Sequence, residues 1–396
     1  MPFGRAVESL ADLVRVEVSE STACRQTEAW GVAYVGVQEE EVKRIERELP
    51  PVPKGPEKLL LSVDGAFVPL VHKEWAEVKT VALGVLEEPV WEEDEWKVHA
   101  RELSYFSRVM EAEDFGRAAL GEIHQRGVET AEQVVAVTDG AVWEQGFIDY
   151  HREDAVRVLD FPHAAEYVAQ AGKSVWGEGA ETTNEWLKEQ LHTLKHEGPT
   201  DVLSELRTLA QDHPERSELI ASLSYLEKRE AHMQYPDYLA HGWPIGSGAV
   251  ESANKLVVEA RLKGAGMHWA CAHVNPMLAL RNAVCNERWR QARSQILTDL
   301  QRQKQQTRYS RREQRLVEQA TARSSTEEQS CAPVVVHTAQ ASPTNPKLSI
   351  DTLAASAPDS PLPRKPWRPG PNHPWRHSPI GKARYRKRAL SPPAKM

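Results

Sequence analysis

The chain lacks paired cysteines, long apolar runs and net positive charge, and each lack narrows what it can be. Its four cysteines, Cys24, Cys271, Cys285 and Cys331, are scattered with no CxxC pair. That argues against a disulfide framework or a zinc ribbon and for a reducing, cytoplasmic setting. No apolar stretch approaches the roughly 20 residues a membrane span needs. The start, "MPFGRAVESLADLV", has no secretory-signal layout. The formal net charge of −8 over 396 residues argues at first against nucleic acid. Its distribution matters more than its total. Acid concentrates early, in "QEEEVKRIERE" and "LEEPVWEEDEW", whereas Pro361 to Met396 carries ten Lys or Arg and no Asp or Glu. A phosphate-binding surface needs only a local basic patch.

What is present reads as a folded body with disordered additions: 40 % hydrophobic residues allow a sizeable core, while 26 prolines gather towards the end. Residues 1–31 predict two short helices, with Ser19 or Ser21 as a cap and Gly31 as a stop. Such a pair would be either part of a helix-turn-helix presenting Thr22, Arg25 and Gln26 to DNA or ordinary helical packing. Three strand-like runs follow, 58–71, 74–88 and 95–107, and predict an antiparallel meander. A helix over about 108–126, a buried strand "EQVVAVTDGA", a short helix and a second buried strand "DAVRVLD" come next. That order is the order of a ribonuclease-H-like α/β domain, a mixed sheet whose first and fourth strands are neighbours. Residues 164–240 read as a wholly helical insertion, and 241–300 as further helix. From about 303 the composition turns Gln/Arg-rich and then Ser/Pro-rich, predicting a disordered basic tail. The expected segments are 1–50, 55–163, 164–240, 241–300 and 303–396.

Asp64 and Asp139 cap or interrupt two strand-like runs, each followed by glycine in "VDGAF" and "TDGAV". An aspartate in an apolar strand is costly unless it is paired, bound to a metal or at the strand's end. Either Asp-Gly alone reads as a turn. Two on neighbouring strands point to a shared cation such as Mg²⁺ (or Mn²⁺), which takes oxygen ligands and leaves room for water and phosphate. Glu251, in "PIGSGAVESANKLVVEARLKGAG", offers a third carboxylate; in isolation it is an acid that complements a helix dipole.

The stretches "LSVDGAFVPL", "VAVTDGAVWE", "VLDFPHAAEYV", "PIGSGAVESANKLVVEARLKGAGMHW" and "KPWRPGPNHPWR" occur in order over most of the chain. Together they resemble the Kra-type insertion-sequence transposases of bacteria, relatives of the Mutator-like DDE transposases. The resemblance implies a ribonuclease-H-like fold with Asp64, Asp139 and Glu251 as the metal-binding catalytic triad. It implies Mg²⁺-dependent cleavage and strand transfer on double-stranded DNA, the element's terminal repeats and its target, with self-association as a dimer or higher. Asp160 and His163, in "DFPH", match an Asp and His that such relatives carry after the second catalytic Asp. An orienting or DNA-contacting role, a metal ligand and a structural cap all remain open for them. Arg261 and Lys263 either hold phosphates in register or form a solvated helix end. Trp176, Trp243 and Trp269 read as core more readily than as base-stacking platforms. The competing functional reading is a truncated, non-catalytic DNA-binding remnant, since only 63 residues precede the first Asp.

Overall fold

The computed structural model describes residues 2–92 and 95–330. The run "KLLLSV" opens a twelve-residue strand, β1 (Lys58–Pro69), and β2 (Trp75–Leu86) pairs antiparallel with it, placing Thr80 opposite Asp64. A separate ribbon, β3 (Val90–Glu92) and β4 (Glu95–Lys97), precedes β5 (Ala100–Arg108), which lies antiparallel to β2. The strand expected over 95–107 is therefore two pieces, and only the second joins the main sheet. β6 (Gln133–Thr138) and β7 (Val156–Leu159) then add in parallel, giving the order β5-β2-β1-β6-β7. The first and fourth strands of this mixed five-stranded sheet are neighbours, as expected. "VVAVT" of β6 is buried throughout because both faces of a parallel strand are covered.

The helices are α1 (Phe3–Val14), α2 (Glu20–Glu48), α3 (Ala112–Gln125) and α4 (Val142–Arg152), then α5 (Phe161–Trp176), α6 (Glu181–His196), α7 (Pro199–Asp212), α8 (Ser217–Glu227) and α9 (Tyr235–Ala240). Last come α10 (Gly248–Ala253), a π-helical turn over Asn254–Glu259, α11 (Ala260–Leu262), α12 (Cys271–Cys285) and α13 (Trp289–Ser330). One face of the sheet sends Leu59, Leu61 and Val63 against Phe115 of α3 and Phe147 of α4. The other face is divided. Leu60, Val135 and Val158 pack with α5–α9, while Ala66 and Val68 pack with Val250 of α10 and Val274 of α12. Successive residues of a strand alternate faces, so Ser62 and Asp64 lie on β1 where these two clusters part. Trp176 and Trp243 join the first cluster and Trp269 the second, in keeping with a core role.

Two expectations fail at the ends. Ser19 does cap a helix, accepting from Thr22 N at 3.2 Å, but Gly31 does not stop it, and α2 continues for 29 residues. Gly31 is instead a crossing point: a Cβ there would collide with the backbone of Pro276 in α12. With Ala33, Tyr34, Val42 and Ile45 also buried, the expected pair of short helices is one short helix and one long docked helix. At the other end, order does not cease at 303, because α13 runs to Ser330. Gln, Arg, Glu and Leu are strong helix formers, and Asp299 accepts from Arg302 at 2.5 Å and Gln303 at 2.7 Å. The remainder of the expected tail, 331–396, lies outside the described residues, as does Cys331. Residues 1–324 form one compact unit; the second, 325–396, is described only as helix as far as Ser330. Among the described residues no helix is long and apolar enough to cross a membrane.

Candidate functional site

β1 and β6 run side by side from Lys58↔Gln133 to Ser62↔Val137 and then part. Asp64 lies just beyond that point on β1, Asp139 directly follows the last residue of β6, and Asp160 directly follows the last of β7. Asp139 and Asp160 stand at the carboxyl ends of parallel strands, where open α/β sheets form their binding crevices, and Asp64 lies mid-strand on β1, where its parallel pairing with β6 has ended. Asp64, Asp139 and Glu144 bring carboxylate oxygens within 4.8 Å of one another. Among the described residues, none of the three has a Lys or Arg at ion-pair distance.

Backbone donors fix these groups instead. Asp64 Oδ1 accepts from Gly65 N at 2.6 Å and its Oδ2 from Asn254 Nδ2 at 2.9 Å. Asp139 Oδ1 accepts from Ala141 N at 2.8 Å. Glu144, in the first turn of α4, reaches back so that its Oε2 accepts from Gly140 N at 3.1 Å and Ala141 N at 3.2 Å. Burial pushes the Asp64 carboxyl up to about 6, with Asp139 and, less strongly, Glu251 adding negative charge and the Gly65 and Asn254 donors opposing. Glu144, only 1 % exposed, is driven well above the ordinary carboxyl range by burial, then by a hydrogen bond and charge repulsion from Asp139. Uncompensated charge of this kind is expensive in a protein interior, and a cation would relieve it. The oxygen-only donor set suits a hard divalent ion, so the residues fit Mg²⁺ or Mn²⁺.

Glu251 is not among the clustered carboxylates. It lies on α10 with a side chain 49 % exposed, 3.8 Å from Lys255 Nζ, and its Oε1 accepts from Ser247 Oγ at 3.4 Å. Asn254, three residues on, is the group that touches Asp64, at the start of the π turn; such turns recur at functional sites. Its Oδ1 is buried without a partner. The helix is brought to the sheet by Asp160 rather than by the glycines of "GSG". Asp160 caps α5 by accepting from His163 N at 3.0 Å, and its other oxygen accepts from Ser247 N at 2.6 Å. A Cβ on Gly248 would meet open space, so close approach does not explain that glycine. Asp160 is thus a buried cap and tether, its carboxyl raised by burial and held down by those two donors. The His163 ring rests edge-on to Tyr167 and Tyr225, with centroids 5.3 and 5.8 Å away.

Arg261 is not a phosphate-facing residue. The residue is 8 % exposed, and its guanidinium lies 4.8 Å from the ring centroid of Phe3 and 4.9 Å from that of Trp269. Lys263 is exposed and pairs with Glu259 at 2.8 Å, and Arg25 is exposed on α2. Sequence reasoning missed Glu144. Its one signal was an acid three residues after Ala141, the spacing of a helix-capping acid. No protein-family model matches the chain, and no curated protein is detectably similar to it.

Proposed function

We propose that the protein is a metal-dependent DNA-cleaving and strand-transferring enzyme, a DDE transposase with a ribonuclease-H-like core, as its resemblance to the Kra-type insertion-sequence transposases implies. The observation that carries the reading is the meeting of Asp64 and Asp139 just beyond the parallel pairing of the adjacent strands β1 and β6, with Glu144 in the same 4.8 Å cluster. The strand order, with β2 antiparallel to its neighbours, agrees with such a core. Asp64 and Asp139, joined by Glu144 or Glu251, would hold Mg²⁺ or Mn²⁺. A cation bound there supplies Lewis-acid stabilisation of charge developing on phosphate oxygens.

The chain's own residues prepare that chemistry by presenting fixed carboxylates. Gly65 N and Asn254 hold both oxygens of Asp64, and Ala141 N holds one of Asp139, so neither needs to reorganise during reaction. Asp64, titrating at about 6, is charged at neutral pH. Asp160 keeps the segment before Glu251 against the sheet. Double-stranded DNA would be held through exposed cations: Lys263, Arg25 and the outer part of α13. There Arg302, Lys304, Arg308, Arg311, Arg312 and Arg315 are all exposed, against Glu313 and Glu318. Self-association is implied by the resemblance alone.

The test is nicking of supercoiled DNA by the full chain. The wild type nicks only with Mg²⁺ or Mn²⁺, and Asp64→Asn and Asp139→Asn do not nick; undiminished nicking by both variants overturns the assignment. Comparing Glu144→Gln with Glu251→Gln then shows which glutamate completes the site. A non-catalytic DNA-binding reading draws on the half-exposed Glu251 beside Lys255, and it predicts DNA retention without metal-dependent cutting.

A further inference from the structure

Tyr225 and Arg229 leave the helical region between β7 and α10 and reach the loop that carries Asp139. The Tyr225 hydroxyl donates to the backbone carbonyl of Asp139. Arg229 donates to the carbonyl of Gly140 twice, from Nη2 at 2.6 Å and from Nε at 3.2 Å. The two side chains brace each other, the guanidinium lying 3.7 Å from the Tyr225 ring centroid, and Tyr167 stacks on the far side of that ring at 3.7 Å and 6°. Gly140 has φ +82°, and a Cβ there would strike Arg229, so the loop's left-handed turn and the arginine occupy one fitted space. A half-buried arginine set against carbonyls rather than a carboxylate spends its charge on orienting backbone. The opposite side of the same loop presents Gly140 N and Ala141 N to the carboxylates of Glu144 and Asp139.

We propose that Tyr225 and Arg229 are positioning residues for Asp139: they grip the carbonyls of residues 139 and 140, and so fix the direction of the amides and carboxylate that face the acidic cluster. The helical region thereby acts on the site without contributing a ligand. The inference rests on the reading of Asp139 as a metal ligand.

The experiment measures Mn²⁺ binding to the full chain by calorimetry, with melting temperature recorded for each variant. Tyr225→Phe removes one hydroxyl and keeps the stack on Tyr167, and Arg229→Gln removes the bidentate grip. Outer-shell partners of metal ligands affect affinity by about 10–100-fold, and each variant is expected to lose affinity in that range. Arg229→Lys is expected to lose less than Arg229→Gln. Arg207→Ala, which breaks only the surface pair with Glu227, serves as control and keeps wild-type affinity. Tyr225→Phe is expected to melt within a few degrees of wild type, and it decides the matter if Arg229→Gln does not fold. Wild-type affinity in a folded Tyr225→Phe protein overturns the inference, as does an equal loss in Arg207→Ala. If the wild type itself binds no Mn²⁺, the metal-centre reading fails first, and that failure is visible before any variant is compared.

Discussion

Glu122 and Glu144 are both buried glutamates on helices that cover the same face of the sheet, yet their surroundings are opposite. Glu122, on α3, meets the Arg288 guanidinium at 2.6 Å. Glu144, on α4, meets two backbone N–H groups and the carboxylates of Asp64 and Asp139. The first arrangement satisfies its charge within the fold, and it ties α3 to the segment leading into α13. The second gathers three carboxyl groups with no cation among them, and burial and repulsion leave Glu144 holding its proton. A protein keeps such a cluster at a stability cost, and the cost has a use if something from outside completes it.

Breaking each side of this comparison should give different losses. At the acidic cluster, Asp64→Asn or Asp139→Asn would remove a proposed ligand of a cation that, if bound, would supply several kcal/mol of transition-state stabilisation. Cleavage rates should fall on the order of 10²–10³-fold, while denaturant unfolding in EDTA shows no loss of stability. At the ion pair, Arg288→Met strands Glu122 without its cation and should cost about 3 kcal/mol in denaturant unfolding. Glu144→Gln should change stability in EDTA by less than about 1 kcal/mol, since Glu144 already carries its proton. A large loss in Glu144→Gln would mean that its charge is compensated within the fold after all.

The pH dependence sharpens the contrast. Burial pushes the Asp64 carboxyl up to about 6 from its ordinary 3.8, so the folded state binds its proton more tightly than the unfolded state. Its contribution to stability is full below about pH 4 and declines as the pH rises through about 6. Cation binding requires the carboxylate, so Mg²⁺ should raise the melting temperature more at about pH 7 than at about pH 5. Melting curves with EDTA and with Mg²⁺ at the two pH values check this, and equal Mg²⁺ effects would contradict it.

The smallest effects concern the surface cations. Lys263→Ala and Arg25→Ala should leave stability unchanged and each reduce the salt dependence of DNA binding by about one phosphate contact. Arg261→Ala should instead destabilise the fold by about 1–2 kcal/mol through loss of its place between Phe3 and Trp269. Binding isotherms at several salt concentrations, with unfolding curves, separate the two classes.

Much of the sheet and part of the site were legible in the sequence for physical reasons. The runs that carry Asp64 and lead to Asp139 are apolar, and a carboxylate interrupting the first and following the second stands out against them. Glu144 was not legible because an acid in a first helical turn is ordinary; only the fold shows it turned inward onto Asp139. Gly31 misled because glycine serves both to end helices and to let them cross, and only the position of Pro276 separates the two uses. Arg261 misled in the same way. A basic helix end looks like a phosphate grip until Phe3, more than 250 residues away in sequence, closes over it. Glu251 stands between these cases: its helix is docked where expected, by Asn254 on Asp64, while its own carboxylate faces Lys255.

The central claim is that the acidic cluster where β1 and β6 part is built for a divalent cation. Calorimetric titration of the full chain with Mn²⁺ tests it most directly, comparing wild type with an Asp64→Asn/Asp139→Asn double variant. The account predicts saturable binding by the wild type and none by the folded double variant. A wild type that takes up no Mn²⁺, or a double variant that binds it equally well, would contradict it.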